Sequence, residues 1–165
     1  MRPAMIVIVM GVVGAGKTTI GCLLAEQLGW EFHDADDFHS PSNVENIRRG
    51  IPLSDEDRWP WLARLRGEIA NWITMKRNVV LACSALKCSY RQGLSTGPEV
   101  RFVYLKGSPD LIVQRLQSRQ GHFAGEQLVA SQFADLEEPD TAVTVDIAQT
   151  PEQLVARIRE DLGLA

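Results

Sequence analysis

Cysteine is scarce in this chain, with Cys22, Cys83 and Cys88 making an odd set of three in 165 residues. Their spacings match no zinc or redox motif, so a disulfide framework and a cysteine-ligated metal are both excluded. Cys22 falls in a helical pattern and Cys83 at the end of an apolar run, and both read as small buried hydrophobes, as expected in a reducing cytoplasm. Basic excess is also missing. A net charge of −4 and a pI near 5.4 speak against a nucleic-acid surface, which needs a surplus of Lys and Arg. No stretch approaches the ~20 apolar residues of a membrane span. Internal repeats and low-complexity segments are absent too. An apolar run after Arg2 could pass for a secretory signal core, but it enters Gly-Lys-Thr with no cleavage site, so a strand is expected there.

What remains is the composition of one ordinary soluble domain, 1–165, with 45% hydrophobic and 23% charged residues. Its organising stretch is Met5–Ile20, MIVIVMGVVGAGKTTI. Six apolar residues lead into Gly11, Val12, Val13, Gly14, Ala15, Gly16, Lys17 and Thr18, the G-x-x-x-x-G-K-[ST] pattern of a phosphate-binding loop. Glycines let backbone N–H groups turn inward around an anion, where residues bearing a Cβ would be strained. Lys17 can then reach the β- and γ-phosphates and Thr18 can hold Mg²⁺ through its hydroxyl. The helix that follows, with Ile20, Leu23, Leu24 and Leu28 on one face and Gly29 at its end, aims its N-terminal dipole at the phosphates. The loop points to ATP or another nucleoside triphosphate without saying what is done with it.

Further on, short apolar runs alternate with amphipathic stretches, the pattern of βαβ units and a parallel sheet. Strands are expected at Trp30–Asp36, Asn78–Cys83, Val100–Leu105 and Ala142–Ile147. Ser40-Pro41 and Ser108-Pro109 read as helix caps followed by proline at the first helical position, and Thr150 with Gln153 as a capping box. A long helix is expected over Asp57–Lys76 with Asp57 as its cap, which would leave Pro60 in the tolerated first turn. Ser84 is expected to cap a helix reaching Leu94. The segment at about 120–139 breaks the rhythm: it is polar, helix-permissive and inserted, as a lid would be.

Ligands of an open parallel sheet sit beyond the carboxyl ends of its strands. Beyond the second strand lie Asp34, Asp36, Asp37 and His39; the third ends in Ser84 with no acid. The acidic duties of phosphoryl transfer therefore fall on the Asp34/Asp36 pair. Asp36 is expected to face the acceptor hydroxyl and Asp34 the metal's water shell, unless both merely cap the next helix. Arg58, and Lys87 with Arg91 four residues later on one helix face, each read alone as a solvated surface charge before a ligand, but their shared location beside a carboxylate-lined site lets them neutralise an anionic acceptor. Arg115 and Arg119 form another such pair just before the insertion, where they can clamp the transferring phosphoryl as a lid closes or simply face outward. His122 sits beside the expected hinge. Trp59 and Trp61 flank the site as packing residues.

Taken together, GVVGAGKTT, DADDFHSPSNVENIRRGIPLSDEDRWPWL, CSALKCSYRQGL, FVYLKGSPDLIVQRLQSRQGHF and QLVASQFADLEEP resemble the gluconokinases, small ATP-dependent D-gluconate kinases of the shikimate-kinase-like and nucleotide-kinase-like phosphate-loop group. The resemblance covers most of the chain in order. It implies a three-layer α/β fold with a five-stranded parallel sheet in order 2-3-1-4-5 and a helical lid. It further implies ATP and Mg²⁺, and transfer of phosphate to the terminal hydroxyl of gluconate to give 6-phosphogluconate. Nucleotide binding would fall to Gly11 through Thr18 with Thr19 and Arg115, and the metal to Thr18 and Asp34. Chemistry would fall to Lys17, Asp36 and Arg119. Asp36, His39, Arg58, Ser84, Lys87, Arg91 and His122 would meet the sugar acid. Members of the family are often homodimers. Val13 and Ala15 stand where relatives often carry serine, which removes a side-chain contact that the backbone cradle does not need. Two alternatives stay open: another small-molecule kinase of this fold, such as one acting on shikimate, and a non-catalytic nucleotide-binding switch.

Overall fold

The structure, a computed structural model, describes residues 3–120 and 125–164, with the side chains of residues 119 and 120 outside that description. Its centre is β1 (Ile6–Met10), in which all five residues are buried. A strand buried on both faces must be apolar at every position, and IVIVM is. Flanking it are β3 (Val79–Ala82) and β4 (Val100–Lys106), with β2 (Glu31–Asp34) and β5 (Val143–Asp146) at the edges, giving a parallel sheet in order β2-β3-β1-β4-β5. Register is set by Ile6, which pairs with Val79 on one side and Val100 on the other.

Because side chains alternate across a strand, the sheet has two cores. Val7 and Val9, with Val80, Val103 and Leu105, pack under α1 (Lys17–Leu28), α5 (Pro109–Gln120) and α7 (Pro151–Asp161). Ile6, Ile8 and Met10, with Val79 and Leu81, pack under α3 (Asp55–Thr74) and α4 (Cys88–Leu94), where Leu65 and Ile69 are fully buried. The two remaining helices, α2 (Pro41–Arg48) and α6 (Glu126–Asp135), stand near the carboxyl edge of the sheet. No helix among the described residues is long and apolar enough to cross a membrane.

The caps at Ser40, Ser108 and Thr150 form as expected, with the Thr150–Gln153 capping box closed by bonds of 3.2 and 3.0 Å. Four local expectations are corrected. The long helix starts at Asp55, because Ser54 and Asp57 satisfy each other's backbone N–H groups in a capping box that outcompetes Asp57 alone. Pro60 thus lies in the second turn and leaves the Glu56 carbonyl without its helical donor. Strand β2 ends at Asp34, whose carboxylate accepts from the Asp36 N–H at 2.9 Å and starts a 3₁₀ turn over Ala35–Phe38, so Asp34 and Asp36 do not share one extended segment. Helix α4 begins at Cys88 instead of following Ser84, since residues 84–87 run as a loop through a left-handed Ala85, φ 46°. Cys22 is exposed; only Cys83 is the buried hydrophobe expected, and burial pushes its thiol up to about 12.

Candidate active site

The loop after β1 makes its turns at Gly14 (φ 80°) and Gly16 (φ 100°), in the left-handed region that side chains resist. A Cβ on Gly14 would also meet Leu116 at 2.9 Å. Val12 and Ala15 are buried in the core, so they serve the loop through their backbone. Lys17 opens α1 and folds back so that its Nζ donates to the carbonyls of Gly11 and Val12, each at 3.0 Å. Burial holds its ammonium below the usual lysine range, while Asp36 is the foremost charge favouring protonation. A partly desolvated ammonium whose acceptors among the described residues are two carbonyls is primed for phosphate oxygens.

A cleft of about 260 Å³ opens beside this loop, between the ends of β1, β2 and β3. Lys17, Thr18, Asp34, Asp36, His39, Arg58 and Ser84 line it, so most of the expected set is brought together. Thr18 Oγ1 approaches Asp34 Oδ2 at 3.5 Å, a pair of hard oxygens at the loop mouth. The Asp36 carboxyl is raised above its ordinary range by desolvation and then by the Asp34 charge, against the pull of Lys17. With 65% of its side chain still exposed, solvent keeps that displacement modest. His39 stacks on Trp61 with ring centroids 4.1 Å apart, and burial followed by the Arg58 charge lowers its imidazole to about 4, so it is neutral at physiological pH.

Arg58 reaches the cleft from the first turns of α3, donating to Tyr90 Oη at 2.9 Å and to Asp135 of α6 at 3.5 Å. Lys87 and Arg91 are placed elsewhere. Lys87 precedes α4, is outside its helical geometry, and gives its ammonium to Asp55 at 3.0 and 3.3 Å. Tyr90 Oη also donates to Asp55. Arg91 is buried, its guanidinium spent on the carbonyls of Ala85 (2.8 Å), Leu86 (3.0 Å) and Glu137 (2.7 Å). The expected shared helix face does not exist, because only Arg91 is on the helix. Arg91 instead clamps the left-handed Ala85 loop to the end of α6.

On the other side of the loop, Arg115 donates to the Ile147 carbonyl and lines a groove with Gly14, Gly16, Thr19, Gln149 and Pro151. The side chain of Arg119, and His122 entirely, lie outside the described residues.

Two contributors escaped the sequence. Gln132, on α6, accepts from the phosphate-loop N–H of Val13 at 2.6 Å across 119 residues of chain. It lines the cleft with Leu128 one turn earlier, and that i, i+4 spacing on the inserted helix was the only available signal. Asn43 is buried against His39 at the start of α2, and nothing in a surface-like PSN run announced it.

A phosphate loop with a carboxylate facing its lysine, on a sheet of this order and beneath an inserted helix, defines a phosphate-loop kinase, a phosphotransferase using ATP. Residues 13–162 match the shikimate kinase family model. The chain is 40% identical over 178 residues to a probable gluconokinase from Mus musculus, covering 95% of this chain and 97% of that protein. It is 44% identical over 154 residues to the thermosensitive gluconokinase of Escherichia coli (strain K12), covering 92% and 76%. A solved gluconokinase from Sinorhizobium meliloti 1021 superposes with a TM-score of 0.89 at 37% identity, over 99% of this chain and 94% of that one. The chain belongs to the gluconokinase family.

Proposed function

We propose that the protein transfers the γ-phosphoryl group of ATP to the terminal hydroxyl of D-gluconate, giving 6-phosphogluconate and ADP. The observation that carries this is the meeting of Lys17, Asp36 and Arg58 in one cleft, with the phosphate loop at one end and a guanidinium for a carboxylate at the other. Lys17 exchanges the Gly11 and Val12 carbonyls for the β- and γ-phosphates. Asp36 takes the hydroxyl proton as the oxygen forms its bond to phosphorus, and the bond to the β-phosphate oxygen breaks with its electrons going to ADP. Arg58 orients the acceptor's carboxylate, and the groove beside Arg115 and Gln149 takes the nucleoside. Helix α6 closes on both through Gln132 and Asp135 and keeps water from the phosphoryl group.

Thr18 and Asp34 would hold Mg²⁺. Their hard oxygens suit it, and the lack, among the described residues, of any cluster of three His, Cys, Asp or Glu fits an ion held mainly by phosphates and water. Bound there, the ion would offset phosphate charge.

The deciding experiment is ADP release measured over a panel of sugar acids plus shikimate. Turnover with gluconate is expected. Turnover with shikimate and none with gluconate would move the chain to the other kinase class, and ATP hydrolysis indifferent to every acceptor would make it a switch.

A further inference from the structure

Among the described residues three polar side chains are buried: His39, Asn43 and Arg91. Arg91 is accounted for by its carbonyls; the other two form a unit behind Asp36. Asn43 Nδ2 donates to the Asp57 carbonyl at 2.8 Å. A carbonyl only accepts, so this contact establishes which end of the amide faces His39. The second hydrogen on Nδ2 meets His39 Nδ1 at 3.3 Å, which leaves Nδ1 as the acceptor. A half-turn of the ring about Cβ–Cγ would keep its stack on Trp61, whose own Nε1–H is anchored on the Ala35 carbonyl at 2.7 Å, but would set a C–H in place of Nδ1 against the Asn43 amide and leave that hydrogen without an acceptor. A neutral imidazole that accepts at Nδ1 carries its proton on Nε2. Nε2 is the atom that faces the reaction side, 4.0 Å from Asp36 Oδ1.

That separation has a use. An N–H···O bond of ~2.9 Å and an O–H···O bond of ~2.7 Å meeting at one oxygen at about 90–110° span about 4.0–4.6 Å, so the observed separation is at the tight end of that range. We propose that Asn43 locks His39 as its Nε2–H tautomer, and that this N–H donates to the acceptor hydroxyl oxygen whose proton passes to Asp36. The oxygen is then held at two corners, its hydrogen on Asp36 and one lone pair on His39, and its other lone pair is left for phosphorus. The opposite tautomer would set two acceptors around a hydroxyl that has one hydrogen. His39 keeps its proton throughout, and Asn43 is a positioning residue that never meets substrate.

The role in turnover rests on the kinase function proposed above, but the tautomer does not. Imidazole ¹⁵N correlation spectra of the substrate-free protein should show His39 neutral with its proton on Nε2; an Nδ1–H ring or an imidazolium at neutral pH overturns the proposal. His39→Gln, whose amide can place an N–H where Nε2–H was, should keep kcat within about tenfold of wild type, whereas His39→Ala loses about 10²-fold. Equal losses in the two overturn it. Asn43→Ala should mix the tautomers and lower kcat about tenfold at unchanged KM for ATP; an unmixed ring with wild-type kcat also overturns it. An Nε2–H ring in a wild-type protein that leaves gluconate untouched would instead overturn the choice of acceptor.

Discussion

Replacing Asp36 with asparagine removes a proton acceptor and almost nothing else. The side chain is 65% exposed, and no hydrogen bond to its carboxylate is found among the described residues, so the near-isosteric amide should leave the melting temperature unchanged. An amide can still orient a hydroxyl through its oxygen but cannot take its proton. The loss should therefore fall on kcat, by about 10²–10⁴-fold, or about 2.7–5.4 kcal/mol at ~1.36 kcal/mol per decade. Initial rates of ADP release at saturating ATP, with gluconate titrated, separate kcat from KM. The pH profile supplies an independent check. Since Asp36 is raised above the ordinary carboxylate range, wild-type kcat should fall on mild acidification as the base becomes protonated, and Asp36→Asn should lack that acidic limb. A loss under tenfold with the limb intact, or one confined to KM, would refute the assignment of Asp36 as base.

Other expectations follow from the same geometry. Arg58→Ala should raise KM for gluconate by about 10–10²-fold, the range for a charge-assisted hydrogen bond, with KM for ATP little changed; the reverse pattern would place Arg58 with the nucleotide. Arg91→Ala should act on stability, because the Ala85 and Glu137 carbonyls lose their donor beside a left-handed Ala85, while the Leu86 carbonyl keeps the Glu137 N–H. At about 1–3 kcal/mol for each of these two orphaned groups, and 2–4 °C per kcal/mol at this size, roughly, the melting temperature should drop by at least about 4 °C. A wild-type melting temperature with impaired gluconate binding would return Arg91 to the cleft. Hydrogen bonds from Arg77, opposed by slight burial and helped by His33, hold the Glu31 carboxylate down to about 2. The unfolded chain protonates it first as pH falls, so its contribution is complete above its ordinary 4.5 and is lost toward 2. The melting-temperature gap between wild type and Glu31→Gln should narrow over that span, and a constant gap would refute the linkage.

Local rules were enough where a few neighbouring residues decide the outcome. The run before Gly11, the glycine spacing, the Thr150–Gln153 box and the alternation of strands with helices are short-range facts, and they foretold the sheet and the loop, while the kinase class rested on the resemblance of longer segments to a known family. Ser54 could also have been recognised, since a capping box is local. Side-chain destinations are another matter. Lys87 and Arg91 differ by four in number, but a left-handed Ala85 shortens the helix and sends one to Asp55 and the other to buried carbonyls. Gln132 reaches Val13 only because the inserted helix folds over the loop, and Asn43 matters only because Asp57, fourteen residues away, orients its amide. Sequence by itself determined the donor site, whose chemistry lies in one contiguous backbone turn. Which of the expected acceptor-side residues meet in one cleft was decided by tertiary structure, because Asp36 and His39 follow β2, Arg58 comes from α3 and Gln132 from α6, and only packing brings them together.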